Sequence, residues 1–316
     1  ELAVWGGVKV AISPGVDIGI PPLEEPKTVL GKEAAFMRDD DRVFGLVING
    51  KARAYPQRIV DWHEMVNDVI DDQHFTIAYC TLCQAAIAYD TRLPDGSYRT
   101  FSSSGMLYES NKLMFDRQTE TLWNQLLGEP VLGPLVEEVK ELPLLPIETT
   151  EWKEWFQEHP DTDVIDINTG FIRDYSEGVP SYNRYYLSDT TLFPTSDVRG
   201  PLKPKDRIFG LVEEGFARAY ERNMVWEEKV INDTFGDRKI VVVSKGKGFG
   251  IKAFERNEHV FGLAENAVAL IDENGTPWEI TDETLVSDVE QLARLPAHEA
   301  FWFGWVINHP DTTVYP

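Results

Sequence analysis

Short apolar runs separated by turn residues dominate the chain, and they predict strands more often than helices. Residues 43–48 form one such run. Asn49-Gly50 behind it is a hairpin signal, because both residue types tolerate the positive φ angles of a tight two-residue turn. Residues 52–55 supply the returning strand. Pro56 then opens a predicted helix to about Val66, with Ile59, Trp62, Met65 and Val66 on one face. Further strands are expected at 75–79, 84–90, 100–103 and 112–115. A helix over about 150–158 should stop at His159-Pro160, since the residue before a proline is pushed out of the helical region.

The same succession returns later. Asp41-Arg-Val-Phe-Gly-Leu-Val47 recurs as Asp206-Arg-Ile-Phe-Gly-Leu-Val212, and Ala52-Arg-Ala-Tyr55 as Ala217-Arg-Ala-Tyr220. Trp62-His-Glu-Met-Val-Asn-Asp68 matches Trp226-Glu-Glu-Lys-Val-Ile-Asn-Asp233 with one inserted residue. Trp155…His159-Pro-Asp-Thr162 matches Trp305…His309-Pro-Asp-Thr312. Four ordered matches predict an α+β protein built from two tandem, diverged copies of a β-rich unit, each with antiparallel sheet and flanking helices. The expected division is an N-terminal extension (1–26), a first repeat (27–165), an ordered connecting segment (166–204) and a second repeat (205–316). The connecting segment is rich in Tyr, Pro, Gly and Ser. It carries too many aromatic and aliphatic side chains for a disordered linker and should pack across both copies.

Composition narrows the function. A chain of 316 residues with a net charge of −23 has no basic stripe for phosphates, so nucleic acid is an unsuitable partner. No run is apolar and long enough for a membrane span. The chain begins at Glu1 rather than Met, which fits an exported protein whose leader has been removed, so an extracytoplasmic location is expected.

Chemistry is sought where the copies differ. Tyr79-Cys-Thr-Leu-Cys-Gln84 becomes Ser244-Lys-Gly-Lys-Gly-Phe249, so both cysteines of the chain belong to the first copy. His63 is also unshared, its counterpart being Glu227, and a helix packed on the strand would return it to the strand end. His159 and His309 occupy matching positions and read as structural. C-x-x-C serves three chemistries. It can cycle as a redox dithiol, supply two soft ligands to a metal, or close an inert disulfide. As a metal site it would use Cys80, Cys83 and His63, a set suited to copper or zinc, with Met114 and Asp116 as further candidate ligands. Arg117 and Glu120 are candidate substrate-binding residues on the same hairpin. His74 lies six residues before Cys80 along an extended strand, roughly 20 Å away, and reads as an edge residue. Gln84 after the motif excludes covalent haem attachment, and no G-x-S-x-G, Walker or H-E-x-x-H pattern is present.

Several segments resemble the domain-of-unknown-function family three-one-seven-nine. They are Trp62-His-Glu-Met-Val-Asn-Asp68, Tyr79-Cys-Thr-Leu-Cys83, Ser104-Gly-Met-Leu-Tyr108 with Leu113-Met-Phe-Asp-Arg-Gln-Thr-Glu-Thr-Leu-Trp123, Gly170-Phe-Ile-Arg-Asp-Tyr175 and Phe301-Trp-Phe-Gly-Trp305. The resemblance covers nearly the whole chain and implies a prokaryotic protein that is exported or lipid-anchored. Its cysteine motif usually reads Cys-Pro-x-Cys-Gly, and here Thr81 and Gln84 replace the proline and the glycine.

Three functions are therefore expected in competition. The first is a metal-binding or dithiol redox protein using Cys80, Cys83 and His63, with a redox partner protein. The second is a structural coat or filament subunit that self-associates, docks residues 1–20 on a neighbour and keeps its cysteines as a staple. The third is a hydrolase using Asp116, Glu120 or Glu64.

Overall fold

The computed structural model describes residues 2–5, 8–12, 20–213, 215–264 and 269–316. Strands far outnumber helices, giving a β-rich α+β fold. The first predicted hairpin forms between Arg42–Ile48 and Lys51–Pro56, with Asn49 and Gly50 both at positive φ. It lies inside a five-stranded sheet, flanked by Ile147–Glu151 on one side and Asp163–Ile165 on the other. A second sheet places His298–Phe301, Arg207–Glu213, Phe216–Glu221 and Thr313–Val314 in the same order, with the same antiparallel, antiparallel and parallel pairings.

The reason for that order is local. Helices Trp152–Glu158 and Trp302–Asn308 each lay one indole on the neighbouring hairpin strand. A Cβ at Gly45 would stand 2.1 Å from the Trp155 ring, and one at Gly210 would stand 2.4 Å from the Trp305 ring. Only glycine lets the rings lie that close. Each indole N–H then donates to a threonine, Thr162 or Thr312, at 2.9 Å. Paired strands follow each hairpin: Met65–Ile70, Gln73–Cys80 and Ala85–Asp90 in one region, Val230–Phe235, Arg238–Val243 and Lys252–Glu255 in the other. Asp68 holds Tyr55 and Arg53 at 2.7 and 2.9 Å, and Asp233 holds Tyr220 and Arg218 at 2.7 and 2.8 Å.

Two expectations need correction. The predicted helix from Pro56 to Val66 is one turn, Gln57–Val60. Glu64 takes a positive φ of 57°, and Met65–Ile70 continues as a strand paired with Gln73–Cys80. Met65, Val66, Val69 and Ile70 fit a helix face, but β-branched residues also suit a half-buried strand, and tertiary pairing decided between the two. Second, the inserted residue disappears. The carbonyls of Glu64 and Lys229 accept from Tyr79 and Ser244 at 2.8 and 2.9 Å, which keeps the offset of 165 that relates Ala52 to Ala217, so Glu64 lies in the place of Lys229 and His63 in the place of Glu228 rather than Glu227.

The connecting segment is ordered around a short helix, Pro180–Tyr186. Tyr175 and Tyr185 are buried and Ile167, Val198 and Leu202 pack against the cores, whereas Ile172 and Leu187 are 97% and 89% exposed, so it packs through selected side chains. Of residues 1–20, position 1, positions 6–7 and positions 13–19 lie outside the described residues. Leu2–Trp5 and Val8–Ile12 pair with each other, and the latter pairs with Phe101–Tyr108. No helix among the described residues is long and apolar enough to cross a membrane.

Candidate functional site

Cys80 ends the central strand of its sheet, and the turn 81–84 carries the chain into Ala85–Asp90, with Cys80 paired to Ala85. The turn is clamped from outside. Phe301 N–H donates to the Cys83 carbonyl at 2.7 Å, and Tyr185 O–H donates to the Leu82 carbonyl at 2.8 Å. Gly304 lies so close that a Cβ there would be 2.8 Å from Cys83 Sγ. Residues far along the chain therefore fix the cysteine turn.

Both thiols are free and buried, yet their settings differ. Cys80 lines a cavity of about 200 Å³ together with Glu64, Thr81, Ser103, Lys112 and Tyr182, rimmed by Met106, Leu107, Leu192 and Phe193. Cys83 does not line it; Asn111 Nδ2 lies 3.4 Å from its sulfur, which faces the Ser110 carbonyl at 3.6 Å. Burial opposes charge on Cys80, but hydrogen bonds from the Cys83 thiol and from the backbone of Cys83 and Lys112 outweigh it and lower its pKa. Burial, followed by the same thiol contact seen from the donor's side, pushes Cys83 well up. One thiol is primed to ionise and the other to stay protonated.

Beside Cys80 lies a buried ion pair. Lys112 Nζ donates to the carbonyls of Glu64 and Tyr79 at 3.1 Å each and stands 3.4 Å from Glu64 Oε2. Glu64 also accepts from Thr81 Oγ1 at 3.3 Å and from Ser103 Oγ at 3.0 Å. Burial draws the Lys112 pKa down, while the charges of Glu64 and Cys80 push it back up. Asp61, on the far side of Tyr186, is pushed to about 7 by burial, although Tyr186 donates to it at 3.2 Å.

The expected ligand set does not assemble around the thiols. His63 is fully buried in the turn after the helix, its Nδ1 2.7 Å from the Pro21 carbonyl and its Nε2 2.7 Å from Tyr175 Oη. Burial lowers its pKa. Met114 is a buried core side chain. Asp116 is a hairpin anchor, accepting from Thr119 N at 2.7 Å and Trp123 Nε1 at 3.0 Å. Arg117 pairs with Glu24 at the surface, and Glu120 is an exposed turn residue at φ 57°. His74 stacks on Tyr98 at 4.0 Å. Among the described residues, His259, Asp272 and Glu273 are the group of three whose ligand atoms lie within 4.8 Å of one another.

Lys112, Ser103 and Thr81 were missed from sequence. Their signal was faint, a lysine inside the apolar run 111–116 and a serine run at 102–104, each of which reads as a partly exposed strand. Glu64 was read as a catalytic acid among several, with no spacing to single it out.

Residues 17–312 match the model of a family described as "Protein of unknown function (DUF3179)". No curated protein and no solved structure matches the chain.

Proposed function

The chain belongs to the DUF3179 family, whose description assigns no activity, and we propose from the site geometry that it is a thiol–disulfide exchange protein working through Cys80. The carrying observation is the asymmetry of the pair: Cys80 faces the cavity with a lowered pKa, while Cys83 lies behind it with a raised one. The thiolate is the nucleophile, so the cavity-facing sulfur attacks first.

The Cys80 thiolate attacks one sulfur of a substrate disulfide and expels the other as a thiolate. Cys83 gives its proton to that departing thiolate. Once Cys80 is in a mixed disulfide, its negative charge no longer holds the Cys83 pKa up. Cys83 sulfur then displaces the substrate sulfur from Cys80, and that thiolate takes a proton from solvent. The substrate disulfide leaves as two thiols, and the two electrons come from the Cys80–Cys83 pair, which ends as a disulfide. Lys112 stabilises the ionised Cys80 through space, and its bonds to Glu64 and Tyr79 keep it in place. The apolar rim of Met106, Leu107, Leu192 and Phe193 suits a disulfide flanked by apolar groups. An extracytoplasmic compartment, where protein disulfides persist, is the natural setting.

Copper or zinc held by Cys80, Cys83 and His63 is the weaker reading, because Pro21 and Tyr175 already engage both ring nitrogens of His63. We also infer that the chain arose by duplication, the two sheets of equal strand order and the Asp68 and Asp233 anchors being its support.

Reduced protein should consume oxidised glutathione and lose two free thiols. Cys83→Ser should accumulate a mixed disulfide at Cys80, seen as one added glutathionyl mass. Cys80→Ser should stay unmodified. Equal modification of Cys83 in Cys80→Ser protein, or thiols that resist oxidation in the folded wild type, overturns the proposal.

A further inference from the structure

A second site is visible when two hairpins are laid side by side. Asn67 exchanges hydrogen bonds with the backbone of Phe101 at 2.8 and 2.9 Å, and Asn232 does the same with Phe261 at 2.8 Å in both directions. Phe101 meets Trp123 edge-on at 83°, and Phe261 meets Trp278 edge-on at 84°. Trp123 donates its indole N–H to Asp116 Oδ2 at 3.0 Å, and Trp278 donates to Asp272 Oδ2 at 3.3 Å. These contacts fix the equivalences around them. Arg99 and His259 each stand two residues before the phenylalanine, and Arg117 and Glu273 each follow the aspartate.

The substitution pattern at those positions is one of charge. In the first hairpin a permanent cation, Arg99, places Nε 3.9 Å from Asp116 Oδ1. In the second, the arginine is a histidine and the other arginine is a carboxylate. His259 Nδ1 lies 3.6 Å from Asp272 Oδ2 and 3.9 Å from Glu273 Oε1. This Nδ1 is buried and has no hydrogen-bond partner among the described residues. Its sister nitrogen is committed: Nε2 donates to Glu290 Oε2 at 2.9 Å, which leaves Nδ1 as the ring nitrogen turned toward two carboxylate oxygens. A nitrogen and two carboxylate oxygens so placed are the donor set that a shared cation takes. The other oxygen of each carboxylate is tied to backbone, Glu273 Oε2 to Val260 N at 2.8 Å and Asp272 Oδ1 to Asn274 N and Thr276 N at 2.9 Å each.

We propose that His259 Nδ1, Asp272 Oδ2 and Glu273 Oε1 bind a divalent cation of the zinc class, which replaces the fixed positive charge of Arg99. One nitrogen and two carboxylate oxygens suit zinc with water in the remaining position. Ligand atoms about 2 Å from a tetrahedral zinc stand roughly 3.3 Å apart. The two histidine–carboxylate distances, 3.6 and 3.9 Å, exceed that by about 0.3 and 0.6 Å, and all three ligand atoms lie within 4.8 Å of one another. Glu290 is the positioning residue, fixing the ring orientation and tautomer as carboxylates do behind metal-bound histidines.

The test is equilibrium dialysis of chelator-stripped, full-length protein against zinc, with thermal melts of the same samples. Wild type should hold one zinc at this site and melt higher in its presence. His259→Ala and Glu273→Gln should lose that zinc and its thermal shift. Glu273 has a side chain 44% exposed, so its replacement leaves the metal-free melt unchanged and loss of zinc there reports binding rather than unfolding. Glu290→Gln should weaken zinc binding about 10- to 100-fold. The double variant Cys80→Ser/Cys83→Ser should keep the zinc. Wild type that binds none, or zinc retained undiminished by both His259→Ala and Glu273→Gln, overturns the site.

Discussion

The turn after Gln73–Cys80 and the turn after Arg238–Val243 occupy the same place in two similar frames and hold opposite chemistry. Their backbones are fixed alike. Phe301 N–H donates to the Cys83 carbonyl at 2.7 Å, and Glu151 N–H donates to the Gly248 carbonyl at 2.9 Å, so each turn is clamped by the strand leading into the other region's helix. Around Cys80 the side chains leave a small cavity with one lysine and one carboxylate. At the other turn a cavity of about 280 Å³ is crowded with charge: Lys252 stands 3.1 Å from Asp282, 3.2 Å from Glu148 and 3.8 Å from Glu158. Arg294, 4.0 Å from Glu148, and Lys245, paired with Glu158, bring the cations to three against three carboxylates, and the network joins the two regions. Backbone contacts make the frame, and the side chains placed on it decide whether a turn carries free thiols beside a cavity or an ion-pair network to its neighbour.

The two lysines offer the sharpest contrast. Lys112→Met should destabilise the protein by about 3–5 kcal/mol, since it strands the buried Glu64 carboxylate. Adding Glu64→Gln should recover much of that loss, because the remaining amide can still take the Thr81 and Ser103 hydrogen bonds. Lys252→Met should cost as much, but no single second substitution should rescue it: Asp282, Glu148 and Glu158 all lose a contact, and Arg294 and Lys245 then leave one excess negative charge shared among the three. Urea unfolding of wild type, these three variants and Lys252→Met combined in turn with Glu148→Gln, Glu158→Gln and Asp282→Asn measures both claims, and a single-site rescue of Lys252→Met would erase the contrast.

The matching histidines should separate next. His309 packs at a tilt against Trp305, and burial alone lowers its pKa to about 4. His159 packs at a tilt against Trp155, and burial lowers its pKa too, but Asp282 and Glu148 pull against the shift. Above about pH 6.5 His309 is neutral in both folded and unfolded chains and contributes no pH dependence. As the pH falls from there to about 4, only the unfolded chain takes up the proton, so stability drops; below about 4 the loss stays constant. The full penalty is roughly 3 kcal/mol. His309→Gln should therefore relieve acid sensitivity between those pH values more than His159→Gln does. Melting curves of both variants against wild type across that range would show it.

The glycines under the indoles should behave alike. Gly45→Ala and Gly210→Ala each drive a methyl into a buried tryptophan ring, and each should lose about 1–3 kcal/mol. A large difference between them in chemical denaturation would mean that the two regions do not share this packing. The smallest effect belongs to a cap. Glu221 accepts from Met224 N at 2.8 Å at the start of helix Arg222–Glu228, whereas the corresponding Pro56 offers no side-chain acceptor. Glu221→Ala should lower stability by about 1 kcal/mol.

Much of this could be read along the chain. The hairpin at Asn49-Gly50, the strands flanking Cys80, the helix ended by His159-Pro160 and the unshared cysteine pair all follow from local rules: turn residues, apolar runs and proline geometry. The helix predicted through Val66 did not, because apolar residues three and four apart are also compatible with a strand, and only pairing with Gln73–Cys80 distinguishes them. The site was half legible. Cysteine spacing pointed to the turn beside the cavity, but His63 was drawn there by its absence from the second copy and by an expected helix that is only one turn long, and its ring is committed to Pro21 and Tyr175.

The sequence by itself determined which residues are able to react and where turns break the chain, because residue chemistry and backbone preference act over a few neighbours. Tertiary structure decided which of them meet. Lys112 reaches Glu64 across 48 positions, and His259 faces Glu290 across 31. The pKa split between Cys80 and Cys83 arises from burial and hydrogen bonds that exist only after the sheets have packed. Electrostatics and desolvation depend on distance in space, and distance along the chain does not report it.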